Sequence, residues 1–154
     1  MYIYAYNCPA TLFRKDEAGY HSCMTNQEET IYQFVGGDPT FQKLVDIFYA
    51  KVEADERLRA IFPADLGPGK HWQFLFLTQF FGGPDRYGAE RGHPRLRMRH
   101  FPFPIDNKAR DSWLQYMLEA IDEVGIEEPA RSVMRDYFER GSTMMINVHS
   151  PHTT

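Results

Sequence analysis

The run His93-Pro94-Arg95-Leu96-Arg97-Met98-Arg99-His100-Phe101-Pro102-Phe103-Pro104-Ile105 decides how the rest of the chain is read. Pro94 suits the first position of a helix, where an N–H would have no partner, and Pro102 and Pro104 forbid continuation past Phe101. The spacing predicts a helix of about two turns with His100 at its end. The arginines look outward, whereas His100 shares an edge with Leu96 and Phe103 and looks inward. A histidine so placed can donate one ring N–H to the carbonyl near Leu96, one turn back, and keep its other nitrogen free as a metal ligand. Taken alone, the pattern fits better an ordinary helix-end histidine, stabilised by the negative end of the macrodipole. The flanking chain changes that balance.

Downstream, Asp106 caps a predicted helix from Asn107 to Val124 with an inward stripe of Trp113, Met117, Ala120, Ile121 and Val124, stopped by Gly125. A last helix starts near Pro129 and carries Val133, Met134, Tyr137, Phe138, Met144, Met145 and Val148, with Gly141 marking a bend or a close contact. Upstream, Asp85 to Gly92 reads as polar loop. Gly82-Gly83-Pro84 ends a helix from Lys70 to Phe81, on which Gln73, Phe76, Leu77 and Phe80 stack, and Asp65 to Gly69 reads as loop before it. Asp38-Pro39 supplies an N-cap and a first-turn proline for a helix to about Ala54, with Phe41, Leu44, Val45, Phe48, Tyr49 and Val52 on one face. Ile31, Phe34 and Val35 form a shorter helix ended by Gly36-Gly37. No strand alternation follows residue 28, so the chain reads as all-α. Met1 to Gln27 sustain no period, and Tyr2, Tyr4 and Tyr6 suit a strand-like or extended arm rather than a secretory signal. The expected organisation is an extension at 1–27, a helical domain at 28–148 and a tail at 149–154.

At 154 residues, 43% hydrophobic and 15% aromatic, the chain fits one domain with one core. A net charge of −4 gives no general attraction to nucleic acid or to an anionic membrane. Arg86, Arg91, Arg95, Arg97 and Arg99 concentrate positive charge locally, which reads as a solvated face rather than a nucleic-acid site. No apolar run reaches the roughly 20 residues a membrane helix needs. Cys8 and Cys23 are too few for a disulfide framework, so a reducing cytoplasm is expected. A zinc or di-iron site built on His71, His93 and His100 is disfavoured: His93 and His100 stand two helical turns apart and no Glu-x-x-His motif occurs.

Tyr49, Gln73 and Trp113 interrupt apolar stripes. Each carries a hydrogen-bonding group that costs about 1–3 kcal/mol if buried unpaired. Each alone is satisfied most simply by a backbone carbonyl or a water. Three on three helices, with a histidine facing inward, point to a shared buried polar ligand. Gly69, one turn before Gln73, leaves the space above such a ligand unfilled.

Phe62-Pro63-Ala64-Asp65-Leu66, the run from Phe74-Leu75 to Gly82-Gly83-Pro84, the stretch Gly92 to Phe103 and the segment Asp111-Ser112-Trp113-Leu114 together resemble the group II truncated haemoglobins. The resemblance covers about residues 28 to 148 and leaves Met1 to Gln27 outside. It implies a truncated globin fold, a two-over-two helical sandwich around haem b. His100 then matches the proximal iron ligand, Phe62 the aromatic that wedges the haem ring, and Arg99 the propionate partner. Tyr49 and Trp113 match the distal donors of the family, Gln73 the other distal position, and Gly69 the gate position where many globins carry histidine. Phe76, Leu77, Leu96, Phe103, Ile105 and Met144 are expected to line the haem faces. In the loop Gly67-Pro68-Gly69 the chain departs from the Thr or Ala that the family often carries.

The implied function is binding of O2 and other diatomic ligands such as CO and NO at a five-coordinate iron, in storage or sensing. The alternative is a haem redox enzyme, peroxidase-like with H2O2 or converting NO to nitrate, and served by a separate reductase because no flavin or nicotinamide motif is present. A monomer or weak homodimer is expected.

Overall fold

The computed structural model describes residues 11–13 and 29–148. The expected tyrosine arm at 2, 4 and 6 and the tail lie outside the described residues. Two short strands, β1 (Thr11–Phe13) and β2 (Glu29–Thr30), pair antiparallel with Thr11 opposite Thr30. β2 corrects the expectation that no strand follows residue 28; two residues are too few to show alternation.

Thr30 ends β2 and caps α1 (Ile31–Phe34). Its hydroxyl accepts the Gln33 N–H at 3.2 Å while Gln33 Oε1 accepts the Thr30 N–H at 3.0 Å, a reciprocal capping box. In α2 (Asp38–Ala54) the N-cap is Gly37 rather than the expected Asp38, whose carboxylate is instead engaged by Arg86 and the Tyr32 hydroxyl. Asp55 ends α2 and starts α3 (Glu56–Arg59), its Oδ1 accepting the Arg57 and Leu58 N–H groups at 3.0 Å each.

The next helix, α4 (Gly67–Phe80), takes in the Gly67-Pro68-Gly69 segment that reads as loop from sequence. Pro68 sits in the first turn, where its missing N–H costs nothing, and Asp65 Oδ1 accepts the Gly67 N–H at 2.9 Å. After α4 the chain turns at Gly82, which has φ +97°. A Cβ there would lie 2.5 Å from the Cβ of Thr30, so only glycine lets α4 end against β2. The expected polar loop that follows is helical as α5 (Arg86–Arg91).

The next helix, α6 (Leu96–His100), is shorter than its sequence suggests. Arg95 adopts a left-handed conformation, φ +43°, so the helix cannot begin at Pro94. α7 (Asn107–Val124) matches its reading, with Asp106 Oδ1 accepting the Ala109 N–H at 2.7 Å and Gly125 left-handed at the end. α8 (Ala130–Met144) stops before Met145 and Val148.

The helices pack around α2 and α7. α2 packs on both α4 and α7, and α7 packs on α8. Phe41, Leu44, Val45, Phe48 and Val52 of α2 are wholly buried against Phe81, Met117, Ala120, Ile121 and Met134. Each large side chain among them contributes about 1.5–3 kcal/mol by leaving water. Among the described residues no helix is long and apolar enough to cross a membrane. The described residues thus form a predominantly helical domain, as the all-α reading expects.

Candidate functional site

α2, α4, α6, α7 and α8 enclose a cavity of about 450 Å³, within the range of cofactor sites. Tyr49, Phe62, Gly69, Gln73, Phe76, Leu77, Leu96, Arg99, His100, Phe103, Ile105 and Trp113 all line it, so segments far apart in sequence converge on one space. Met144 does not. It is 40% exposed, and Met145 lines the cavity instead. The reason is helical phase: Tyr137, Phe138, Gly141, Ser142 and Met145 form the cavity-facing stripe of α8, and Met144 points about 90° away from its centre. Gly141 needs neither the expected bend nor a tight contact, since a Cβ there would meet nothing closer than 3.9 Å; its lack of a side chain widens the cavity.

His100 is set by its own helix. Its Nδ1 lies 2.6 Å from Leu96 O, so that nitrogen donates to the carbonyl and Nε2 is left with a free lone pair. His71 and His93 are not near it in chemistry. His71 pairs with Glu90 at 3.4 Å, and His93 Nδ1 accepts the Arg95 N–H at 3.2 Å. Among the described residues, no three His, Cys, Asp or Glu side chains gather as a metal site.

Tyr49, Gln73 and Trp113 share a property that packing alone does not explain. None has a hydrogen-bond partner among the described residues, although Tyr49 is only 5% exposed and the other two are half-buried. Burial pushes the Tyr49 phenol far above its ordinary value, so the group is a permanent O–H donor. Phe48 holds two of the three: its ring meets Tyr49 edge-on at 5.4 Å and Trp113 at 5.2 Å. Phe62 and Phe138 close the far sides, against Tyr49 at 6.1 Å and Trp113 at 6.0 Å. Gly69 does more than leave space for a ligand. A Cβ there would stand 2.9 Å from the Tyr49 hydroxyl, so the missing methyl makes room for that phenol.

Three guanidinium groups border the cavity. Arg99 Nε donates to Pro94 O at 2.8 Å and Nη2 to Arg91 O at 3.5 Å, leaving Nη1 uncommitted. Arg91 stacks over the Trp72 ring at 4.6 Å. Arg110 Nε is buried without a hydrogen bond; Asp111 Oδ1 lies 3.1 Å away but out of line. Arg110 and Trp72 are lining residues that sequence reasoning did not single out; Arg91 it read as part of a solvated basic face, and Met145 only as a member of the last helix. A charged residue on a helix surface and one on a cavity rim leave the same trace in sequence.

These features fit haem b. An aromatic and aliphatic cavity suits the porphyrin, one histidine offers a free nitrogen, cations border the cavity, and the donors of Tyr49, Gln73 and Trp113 lack a protein acceptor.

Residues 30–151 match the family model for bacterial-like globins. The group 2 truncated hemoglobin YjbI of Bacillus subtilis is 43% identical over 111 residues, covering 72% of this chain and 84% of that protein. The solved hemoglobin of the thermophilic phototrophic bacterium Chloroflexus aurantiacus superposes with a TM-score of 0.77 at 60% identity, over 79% of this chain and 100% of the other. The group II truncated hemoglobin of Bacillus anthracis does so with a TM-score of 0.78 at 36% identity, over 82% and 98%. With its sandwich of helices, its cavity and these relatives, the chain belongs to the bacterial-like globin family as a group II truncated haemoglobin, a haem b protein that binds diatomic gases.

Proposed function

We propose that this globin takes up O2 and holds it tightly, in storage or sensing, with His100 as the proximal ligand and Tyr49, Gln73 and Trp113 as distal donors. The haem, when bound, supplies an iron with one position open to a diatomic gas. His100 Nε2 would hold the iron, with the tautomer fixed by the bond from Nδ1 to Leu96 O. Arg99, Arg91 and Arg110, which line the same cavity, would offer positive charge to the two propionates, and Phe62 would pack against the ring.

The observation that carries this reading is the set of three cavity donors without a protein acceptor. A gas that becomes partly negative on binding gives them one. A hydrogen bond to a charged acceptor contributes about 1.5–3 kcal/mol, so two such bonds slow release by at least about a hundredfold. Holding of that kind suits capture or sensing better than delivery.

The peroxidase-like branch of the redox alternative has less support in the cavity. No carboxylate and no second histidine are among the described residues that line it. Cleaving an O–O bond calls for a proton donor of moderate pKa, and burial drives the Tyr49 phenol away from that range.

Trp113→Phe tests the proposal, because it keeps most of the apolar volume and removes the indole N–H. O2 dissociation should speed up by roughly ten- to a hundredfold, while CO, whose outer atom carries far less negative charge, changes little. Equal acceleration of both gases in stopped-flow measurements would instead indicate altered access, and an unchanged O2 rate would remove Trp113 from the donor set.

A further inference from the structure

We propose that Asn147 is a positioning residue for His100, holding the proximal segment by its backbone from the far end of α8. The proximal helix needs such a tie. None of the five residues of α6 is buried, and Met98 and the adjoining Phe101 are 59% and 60% exposed. Apolar packing therefore fixes this helix weakly. Its start has no side-chain cap, and beyond its end Pro102 and Pro104 supply no N–H.

Arg99 ties the segment to itself through Pro94 O at 2.8 Å and, by a long bond of 3.5 Å, to the end of α5 through Arg91 O. Asn147 ties it to another element. Its Nδ2 donates to His100 O at 3.1 Å and to Phe103 O at 2.9 Å, and its Oδ1 accepts the Ile105 N–H at 2.9 Å. The backbone N–H groups of Asn147 and Val148 then converge on Ile105 O at 3.0 and 3.1 Å. Two acceptors and one donor presented within six residues demand a side chain with both functions at short reach, which asparagine has and aspartate lacks. The amide orientation follows from the partners: turned over, it would set Nδ2 against an N–H and Oδ1 against two carbonyls.

The two restraints on His100 are thus separate. Leu96 O fixes the rotation of the ring, and Asn147 fixes the backbone from which the ring projects. Because Asn147 follows directly on the α8 stripe of Gly141, Ser142 and Met145, the wall of the cavity and the position of its histidine are set by one element.

The inference rests on His100 as the proximal ligand, and the test separates the two. In the ferrous holoprotein, resonance Raman spectroscopy reads the Fe–His stretching band, and transfer of haem to excess apomyoglobin reads its loss. His100→Gly should abolish the band and regain it with added imidazole; if the band persists without imidazole, the proximal assignment is wrong irrespective of Asn147. With that assignment upheld, Asn147→Ala, which removes all three side-chain hydrogen bonds, should shift or broaden the band and speed haem loss about ten- to a hundredfold, the equivalent of the two it donates to the segment that carries His100. Asn147→Asp keeps the acceptor for Ile105 and loses both donors, so it should behave like Asn147→Ala. It also decides the matter if the alanine variant does not fold. A wild-type band and haem-loss rate in Asn147→Asp, whatever its melting temperature, overturns the proposal.

Discussion

One absent methyl group sets how closely the first turn of α4 approaches the Tyr49 phenol. Gly69→Ala is therefore expected to divide stability from ligand holding. Alanine is the better helix former by up to about 1 kcal/mol, so the melting temperature should hold or rise. The new Cβ, built 2.9 Å from the hydroxyl, must push the phenol aside and cost O2 one donor. O2 dissociation should quicken by about tenfold or more with CO nearly unaffected; an unchanged O2 rate in a well-folded variant would mean that Tyr49 is not a donor. At this scale the sequence was most informative where polarity contradicted pattern. Tyr49, Gln73 and Trp113 stand out because each interrupts an apolar stripe. Met145 could not be told from Met144, since both follow Gly141 and the stripe ends there. Arg110 was invisible, because its orphaned Nε exists only once α7 is packed.

Elements whose apolar face is long were legible, and elements that depend on a neighbour were not. α2 and α7 each bury four or more residues at helical spacing. By contrast α5 buries only Tyr87, too little to show a period; it packs on α4, where the Gly88 N–H donates to Gln79 Oε1 at 2.8 Å, and has one further tie to α2. That tie is Arg86, whose Nη1 donates to Asp38 Oδ2 at 3.0 Å and whose Nη2 reaches Oδ1, an oxygen that also accepts the Tyr32 hydroxyl at 2.9 Å. The Arg86 hydrogen bonds hold the Asp38 carboxyl below its ordinary value of 3.8. A carboxylate depressed in the folded state adds stability above its unfolded value and loses it as pH falls through the folded one. The side chains are 34% and 42% exposed, so the pair contributes on the order of 1 kcal/mol. Arg86→Gln should lower stability by about that amount between pH 5 and 7. The gap to wild type should close below about pH 4 as Asp38 protonates in both proteins. Denaturant titrations across that range check it, and a gap that persists unchanged into acid would assign the loss to packing.

The whole molecule is organised around a cavity whose walls run from Tyr49 in α2 to Met145 beyond α8, so the minimum folding unit must span both. Its other edge is defined by α1, where the Tyr32 N–H donates to Phe81 O at 2.8 Å and Thr30 packs against Gly82. These contacts close the sandwich without β1, whose recorded role is to pair with the two residues of β2. The family model likewise begins at residue 30. A chain beginning at Met24 keeps β2, the Thr30–Gln33 capping box and every described cavity residue, and among the described residues gives up only β1 with its pairing. A two-residue pairing at an edge is marginal by itself, so little stability goes with it. The shortened chain should therefore fold, bind haem stoichiometrically and show the same Soret position and O2 dissociation rate as the full chain. If it instead fails to fold, or binds haem with a displaced Soret band, residues 1–23 are part of the globin core and the domain begins well before Glu28.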